Sequence, residues 1–235
     1  MYSPFYVGIL FVTCAFMTLF TADAEKGFVG DRERLWHSLF NHYTKEIAPD
    51  GDDGGPVVVK HSLTILNLVS WENNMLSLNL WEALSWNDPR LKWEPGMFNG
   101  VTELRIPSRS FWQPDIILVN SVDEYKGFVA GDLNAVVDYN GKVSLYPPRV
   151  TKSFCNLNGS LLLKNEEISC TLKYMSWTMS GLDLDLQLMK EPEIYDNLNP
   201  TLIMTKISAK RNEVKYECCP EKYIDITYTL KFRQK

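Results

Sequence analysis

The chain has 235 residues, of which 45% are hydrophobic and 23% are charged, and its formal net charge is -5. This balance is typical of a globular protein and supplies enough chain for one large domain with a hydrophobic core. A nucleic-acid-binding domain normally presents a basic face, and no Lys/Arg cluster in this sequence would supply one. The composition therefore argues against nucleic acid as a partner.

The first 24 residues have the pattern of a secretory signal peptide. Residues 4–20 are almost wholly apolar, and Ala22-Asp23-Ala24 follows as a small-residue cleavage site. An uncleaved N-terminal anchor is the alternative, but the apolar stretch is shorter than the roughly 20 residues of a membrane-spanning helix. We therefore expect a signal peptide at 1–24 and a secreted, extracellular domain at 25–235, with no membrane span in the mature chain.

One helix and then many short strands are predicted for this domain. Apolar residues recur through 31–43 at the spacing of one helical face. From Val57 onward, turn signals separate short strand patterns. These signals are Glu72-Asn-Asn, Asn87-Asp-Pro, Tyr139-Asn-Gly, Pro147-Pro and Asn197-Leu-Asn-Pro. The pattern predicts an all-β fold, a two-sheet immunoglobulin-like β-sandwich with an N-terminal α-helix.

Alternation within three strands predicts which side chains face the core. Leu76, Leu78 and Leu80 alternate with Ser77, Asn79 and Trp81; Val143 and Leu145 alternate with Ser144 and Tyr146; Ile224, Ile226 and Tyr228 alternate with Tyr223, Asp225 and Thr227. Three aromatic side chains, Trp81, Tyr146 and Tyr223, are thus expected on exposed faces. Because aromatic residues are enriched at interfaces, this pattern predicts a binding surface or a subunit interface.

Four cysteines remain once the signal peptide is removed, and an even number in a secreted chain predicts two disulfides. They are Cys155, Cys170, Cys218 and Cys219. Three pairings are possible, and we favour Cys155–Cys170 with Cys218–Cys219 because each closes a local loop. Zinc is the alternative, but tetrahedral zinc sites space their ligands by at least two residues, which adjacent cysteines do not. We expect no metal site and no cofactor.

A disulfide between adjacent cysteines closes a very small loop and therefore adds little chain-entropy stabilisation. Such a strained unit is more often retained for function than for stability. Cys218 and Cys219 stand between Tyr216 and Tyr223, at the tip of a predicted hairpin. Aromatic faces attract cations by roughly 0.5–2 kcal/mol each, and several together suit a quaternary ammonium ion. The sequence therefore predicts a site for a small organic cation.

Two other classes of protein fit the sequence less well. An enzyme is disfavoured because the chain lacks G-x-S-x-G and H-E-x-x-H motifs and has no histidine near a candidate nucleophile. No catalytic residue is therefore predicted. An adhesive immunoglobulin domain would space two cysteines and a tryptophan across both sheets, and the short loop from Cys155 to Cys170 does not supply this spacing.

Five segments have counterparts, in the same order, in one known family. They are Trp81-Glu-Ala-Leu-Ser-Trp86 with its continuation to Trp93, Trp112-Gln-Pro-Asp115, the loop between Cys155 and Cys170 (the Cys-loop), Ser176-Trp177-Thr178, and Tyr216-Glu-Cys-Cys-Pro-Glu-Lys-Tyr223. Together they resemble the ligand-binding domain of the Cys-loop receptor family, which comprises the nicotinic acetylcholine receptors and related soluble acetylcholine-binding proteins. The resemblance extends from the N-terminal helix to residue 234.

The resemblance implies a homopentamer that binds acetylcholine or a nicotine-like cation between neighbouring subunits. The principal side of one subunit would comprise Trp177, Tyr216, Cys218, Cys219, Tyr223 and Val119. The complementary side of the next subunit would comprise Trp81, Val136, Ser144 and Tyr146. Asp115 would brace the backbone around Trp177. Asn158-Gly-Ser160, within the Cys-loop, is a sequon for N-glycosylation.

Two departures from the family pattern bear on function. Val119 stands where the family has a tyrosine, so one aromatic wall is missing or is supplied by another residue such as Tyr146 or Tyr125, and weaker acetylcholine binding is expected. The Cys-loop segment 156–169 contains no Pro, and hence no Phe-Pro-x-Asp sequence, which in receptors rests on the membrane domain. We therefore expect a soluble protein. The alternative is the extracellular domain of a nicotinic-type channel subunit that ends before its first membrane helix.

Overall fold

The computed structural model describes residues 30–123, 133–155, 167–195 and 202–234. The chain divides into two units, Met1–Gly30 and Asp31–Lys235, and the architecture below is that of the second unit. Four predictions lie outside the described residues: the signal peptide at 1–24, the substitute ring at Tyr125, the sequon at Asn158 and the turn at 197–200. They stay predictions.

The N-terminal helix α1 is Asp31–Phe40, which is shorter than the predicted 31–43. Its Leu35 and Leu39 side chains are buried, as the apolar spacing predicts. Tyr43 lies beyond the helix, where its hydroxyl donates a hydrogen bond to Asp88 Oδ2 at 2.5 Å. The apolar spacing of Tyr43 therefore reflects packing against the hydrophobic core, not a further helical turn.

Twelve strands occur among the residues that the structure describes, and they form two sheets. The eight-stranded sheet contains β1 (Val57–Glu72), β2 (Met75–Lys92), β3 (Glu103–Pro107), β5 (Asn134–Asp138), β6 (Asn140–Leu145), β7 (Pro148–Phe154), β9 (Leu184–Leu188) and β10 (Glu193–Ile194). The four-stranded sheet contains β4 (Ile116–Leu118), β8 (Glu167–Ser176), β11 (Leu202–Lys215) and β12 (Lys222–Gln234). The predicted all-β, two-sheet fold with an N-terminal helix is confirmed.

Strand order brings the predicted faces together around one core. The main path of the larger sheet is β10-β1-β2-β6-β5-β3, with β7 paired to β2 and β9 paired to β1, and the smaller sheet runs β11-β12-β8-β4. The predicted inward residues Leu80, Val143 and Ile226 are fully buried in this core, and Trp81 and Tyr146 on the opposite faces are exposed. Each buried aliphatic side chain stabilises the fold by about 1.5–3 kcal/mol.

A buried polar contact joins the two sheets within the core. His61 of β1 and Tyr228 of β12 are fully buried, and His61 Nδ1 lies 2.8 Å from the Tyr228 hydroxyl oxygen. Burial lowers the pKa of His61 to about 3, so the imidazole is neutral at pH 7. The contact therefore connects β1 to β12 without the cost of burying an unpaired charge.

The predicted turn at Asn87-Asp-Pro is wrong, because β2 continues through it to Lys92. The pairing of β2 with β6 shifts register between Asn87 and Lys92, and such an irregularity accommodates Pro89, which lacks a backbone donor. The Asp88 carboxylate is buried there and accepts hydrogen bonds at 2.8 Å from both Arg90 Nε and Arg90 Nη2. An ion pair within an irregular strand thus takes the place of the turn.

The predicted exposure of Asp225 on β12 is also wrong, because only 2% of this residue is exposed. Its carboxylate accepts hydrogen bonds from Asn212 Nδ2 at 2.7 Å and Thr227 Oγ1 at 2.8 Å, and it forms a salt bridge with Lys173 Nζ at 3.2 Å. Alternation specifies the face on which a side chain lies, but not what covers that face. Here side chains from the neighbouring strands β11 and β8 cover it.

Candidate ligand-binding site

The β11–β12 hairpin presents two tyrosine rings beside its tip. Residues 216–221 form the turn between the strands, and the predicted disulfide Cys218–Cys219 lies within it. The Cys219 N–H donates a hydrogen bond to the Tyr216 carbonyl oxygen at 3.2 Å. The rings of Tyr216 and Tyr223 are 5.7 Å apart in an edge-to-face arrangement, which aromatic pairs favour. The hairpin therefore carries both predicted tyrosines and the cysteine pair as one unit.

Trp177 follows directly on β8, and 66% of this residue is exposed. The pairing of β8 with β12 ends at Met175 and Asp225, so Trp177 and Tyr223 each lie two residues beyond the last pair. Soon afterwards, the Gly181 N–H donates to the Lys222 carbonyl oxygen at 2.7 Å, so this segment also contacts the start of β12. The fold thus brings the segment that contains Trp177 to the start of β12, which follows the hairpin turn, although these residues are far apart in sequence.

Asp115 holds the backbone around Trp177, as the resemblance implies. Its Oδ2 atom accepts hydrogen bonds from the Thr178 N–H at 2.8 Å and from Thr178 Oγ1 at 2.7 Å. Its Oδ1 atom accepts one from the Ser176 hydroxyl, and its carbonyl oxygen accepts one from the Trp177 N–H at 3.2 Å. Bonds to both neighbours of Trp177 fix the direction in which the exposed indole leaves the backbone.

Lys173 of β8 forms a salt bridge with Asp225 of β12, the second strand of the hairpin. The sequence patterns did not identify this lysine. Partial burial lowers the pKa of Lys173, but hydrogen bonding and charge from Asp225, with a smaller contribution from Tyr216, raise it overall. Lys173 is therefore cationic, and Tyr216 adds to the stabilisation of its charge. No motif in the sequence marks this lysine, because its partners lie on β12 and the hairpin turn.

Val119 lies at the base of this cluster. Its N–H donates a hydrogen bond to the Lys173 carbonyl oxygen at 2.8 Å, and 39% of the residue is exposed. Val119 presents an isopropyl group at the position where the family pattern has a tyrosine ring. The part of the cluster beside Lys173 is therefore lined by an aliphatic side chain.

The predicted complementary residues lie elsewhere, on the outward face of the eight-stranded sheet. Val136 of β5 pairs with Ser144 of β6, and both side chains are half-buried. Tyr146, just after β6, is 59% exposed, and Trp81 of β2 is 49% exposed. The side chains that alternate with these four point into the core. The structure therefore separates the ten predicted site residues into two groups on different sheets.

A further aromatic residue, Tyr195, lies in the second group and was missed from the sequence. Its ring centroid is 6.2 Å from that of Trp81. It directly follows β10, a strand of two residues, and alternation cannot be recognised over so short a segment.

The two disulfides are expected to differ in their effect on stability. Cys155–Cys170 has a sequence separation of 15, whereas Cys218–Cys219 joins neighbours. We expect the variant Cys155→Ala/Cys170→Ala to lose about 3 kcal/mol of unfolding free energy, and Cys218→Ala/Cys219→Ala to lose about 1 kcal/mol. Denaturant unfolding of both variants measures this difference. Equal losses would show that loop closure does not govern either effect.

The described ranges contain no group of three or more His, Cys, Asp or Glu side chains that could hold a metal ion. Within those same ranges, no helix is long and apolar enough to cross a membrane.

Comparison with known proteins gives a family match over most of the chain. Residues 32–235 match the neurotransmitter-gated ion-channel ligand binding domain family. The neuronal acetylcholine receptor subunit alpha-6 of Homo sapiens is 33% identical over 236 residues, covering 97% of this chain and 46% of that subunit. The acetylcholine receptor subunit alpha-like of Manduca sexta is 32% identical over 221 residues, covering 87% of this chain and 42% of that subunit.

These relatives are named as receptor subunits rather than as enzymes, which agrees with the prediction of a binding protein. This chain spans less than half the length of either relative. The family match includes both predicted residue groups, the Cys-loop and the hairpin. The chain therefore belongs to the neurotransmitter-gated ion-channel ligand-binding domain family, as its resemblance to the Cys-loop receptors predicts.

Proposed function

We propose that this protein binds acetylcholine and related nicotine-like cations at the subunit interfaces of a secreted homopentamer. The observation that carries the proposal is the cluster of Trp177, Tyr216 and Tyr223 beside the Cys218–Cys219 turn. Their ring faces attract an ammonium group, and the exposed Trp177 is free to contact one. The net charge of -5 favours the approach of cations.

The separation of the two residue groups on different sheets supports a site between two copies. The rings beside the hairpin line only one side of a ligand, and Trp81 and Tyr146 are exposed on the other sheet. Large aromatic side chains are typical of interface cores, where they become buried by a partner. In the proposed assembly, Trp81 of each subunit closes the cluster around Trp177 of the next.

A second candidate is the extracellular domain of a nicotinic-type channel subunit. One observation favours it: the relatives are named as receptor subunits. Against it, the Cys-loop segment 156–169 lacks the Phe-Pro-x-Asp sequence that receptors place on their membrane domain. A native transcript that continues past Lys235 into four apolar segments would establish the channel subunit in place of the soluble protein.

Mixed assembly tests whether the two groups form one site across an interface. Trp177→Ala subunits have a damaged principal side and Trp81→Ala subunits have a damaged complementary side, so neither variant alone should bind acetylcholine at a concentration that just saturates the wild type. Random co-assembly in equal amounts pairs two intact sides at about a quarter of the interfaces of a cyclic oligomer. We expect about a quarter of the wild-type binding capacity to return, measured by equilibrium binding to the purified mixture.

The same experiment has two outcomes that contradict the proposal. Co-assembled protein without any binding would mean that both tryptophans serve one site within a single chain, because every chain in the mixture lacks one of them. Full binding by a monomeric wild-type fraction, separated by size exclusion, would remove the need for an interface. Separately purified variants mixed without subunit exchange provide the control, because no hybrid interface exists in them.

A further inference from the structure

Four cations lie on the outward face of the four-stranded sheet, on the part that is distant from the hairpin turn. Lys206 and Lys210 are on β11, and Lys231 and Arg233 are on β12. Lys206 pairs with Lys231, and the residues before and after Lys231 are fully buried in the core. Because successive side chains of a strand point to opposite faces, these cations point away from the core. We call this group of four residues the basic face.

Two carboxylates lie on the described strands of the same sheet face, Glu167 and Asp225. Asp225 forms a salt bridge with Lys173 at 3.2 Å, so that pair is neutral. Glu167 pairs in register with Arg233, and its Oε2 atom lies 2.6 Å from Lys231 Nζ. Four cations and the one carboxylate Glu167 leave a charge of +3, whereas the whole chain has a net charge of -5. The rest of the chain therefore carries -8, and the two signs of charge are segregated on the molecule.

The pairing of Lys206 with Lys231 opposes folding. The two residues stand directly opposite each other on adjacent antiparallel strands, where like charges repel and destabilise the sheet. Hydrogen bonding from Lys231 is the largest of the effects that lower the pKa of Glu167, so this carboxylate is ionised and offsets part of the repulsion. An unfavourable local pairing of this kind is expected where a site for a ligand is maintained. The ligand that would relieve the repulsion is an anion.

Hydroxyl groups fill the row between Lys206 and Lys210. Ser208 pairs with Thr229 of β12, and Thr229 pairs in turn with Thr171 of β8. Successive rows of one face are about 7 Å apart, so the two lysines of β11 are about 14 Å apart along the strand. Ammonium groups only donate hydrogen bonds, whereas hydroxyl groups donate and accept them. The surface is thus suited to an extended chain that carries both anionic groups and hydroxyl groups.

We propose that the basic face binds an extended sulfated glycan. Sulfate groups would pair with the four cations, and sugar hydroxyls would meet the row of Ser208, Thr229 and Thr171. In the described part of the chain, the exposed large hydrophobic side chains lie outside β11 and β12. Single-stranded nucleic acid is disfavoured for this reason, because proteins bind it by stacking its bases on aromatic rings. The choice of a glycan as the polyanion rests on the extracellular location proposed above.

Two probes with one carbohydrate backbone test the role of sulfate. Heparin carries sulfate groups, and chemically desulfated heparin has lost them. Calorimetric titration of the assembled protein at low ionic strength should give an affinity for heparin at least about tenfold higher than for the desulfated chain. The variant Lys206→Gln/Arg233→Gln should lose about tenfold in affinity for heparin, because two cations are removed. Glu167→Gln removes the opposing carboxylate and should raise this affinity about threefold.

Two further double variants serve as controls. Lys206→Arg/Arg233→Lys keeps both charges and should retain the affinity for heparin. Lys60 of β1 and Lys142 of β6 are exposed lysines of the eight-stranded sheet. Lys60→Gln/Lys142→Gln removes the same number of charges from outside the basic face and should change the affinity by less than about twofold. Denaturant unfolding establishes that each variant is folded before it is titrated.

The outcomes separate this inference from the proposed function. Equal affinity for the two heparins, undiminished affinity in Lys206→Gln/Arg233→Gln, or an equal loss in Lys60→Gln/Lys142→Gln would overturn the glycan site. An oligothymidylate that bound as tightly as heparin would overturn the assignment to a glycan. Acetylcholine affinity should stay unchanged in Lys206→Gln/Arg233→Gln, so a failure of either site leaves the test of the other intact. A tenfold loss confined to the basic-face variant, together with a gain in Glu167→Gln, would support the proposal.

Discussion

Replacement of Trp177 by alanine is expected to weaken acetylcholine binding by on the order of 100-fold, which is about 2.7 kcal/mol. The indole is the largest exposed ring in the principal group, and a cation loses both its π face and the area that it covers. Stability should change by no more than about 0.5 kcal/mol, because Trp177 is 66% exposed and the Asp115 hydrogen bonds go to its neighbours. Calorimetric titration and denaturant unfolding measure the two quantities.

Two further variants make this result specific. Trp177→Phe retains an aromatic face and should bind with intermediate affinity. Leu182→Ala removes another highly exposed apolar side chain from the same segment and should leave affinity unchanged. Undiminished binding by Trp177→Ala, or an equal loss in Leu182→Ala, would place the ligand elsewhere on the molecule.

The Asp225→Ala variant is expected to lose about 3 kcal/mol of unfolding free energy, among the largest effects of any single polar substitution in this domain. The carboxylate is almost fully buried, and its removal leaves Lys173, Asn212 and Thr227 without their shared acceptor. Lys173 also interacts with Tyr216, so a smaller loss of ligand affinity should accompany the loss of stability. Denaturant unfolding, followed by titration of the folded fraction, measures both.

Two variants separate the contribution of the Asp225 charge to stability from the contribution of its side-chain volume. Asp225→Asn preserves one acceptor oxygen and the side-chain volume, so it should be less destabilising than Asp225→Ala. Glu167→Gln breaks an exposed pair in which Glu167 Oε2 lies 2.6 Å from Lys231 Nζ, and no measurable change is expected because water screens both charges. If Asp225→Ala were as stable as Glu167→Gln, the buried network would have no role in stability.

Local sequence patterns were sufficient to predict much of the structure of this domain. Trp81 and Tyr146 could be placed on exposed faces because side chains alternate along a strand, and their neighbours are strongly apolar. The disulfides were predictable because each pair of cysteines is close in sequence. The Asn87-Asp-Pro segment was misread because residue types that favour turns also occur where a strand is irregular and its carboxylate is held by an arginine.

By itself, the sequence determined the fold class, the family, both disulfides and the aromatic residues proposed to bind the ligand. Only the tertiary structure decided that Asp225 is buried, that Lys173 links it to Tyr216, and that Tyr195 lies beside Trp81. Periodicity and motifs depend on neighbours along the chain, whereas these contacts depend on the register between strands that are distant in sequence. That register is set by packing across the whole sandwich, and no local pattern encodes it.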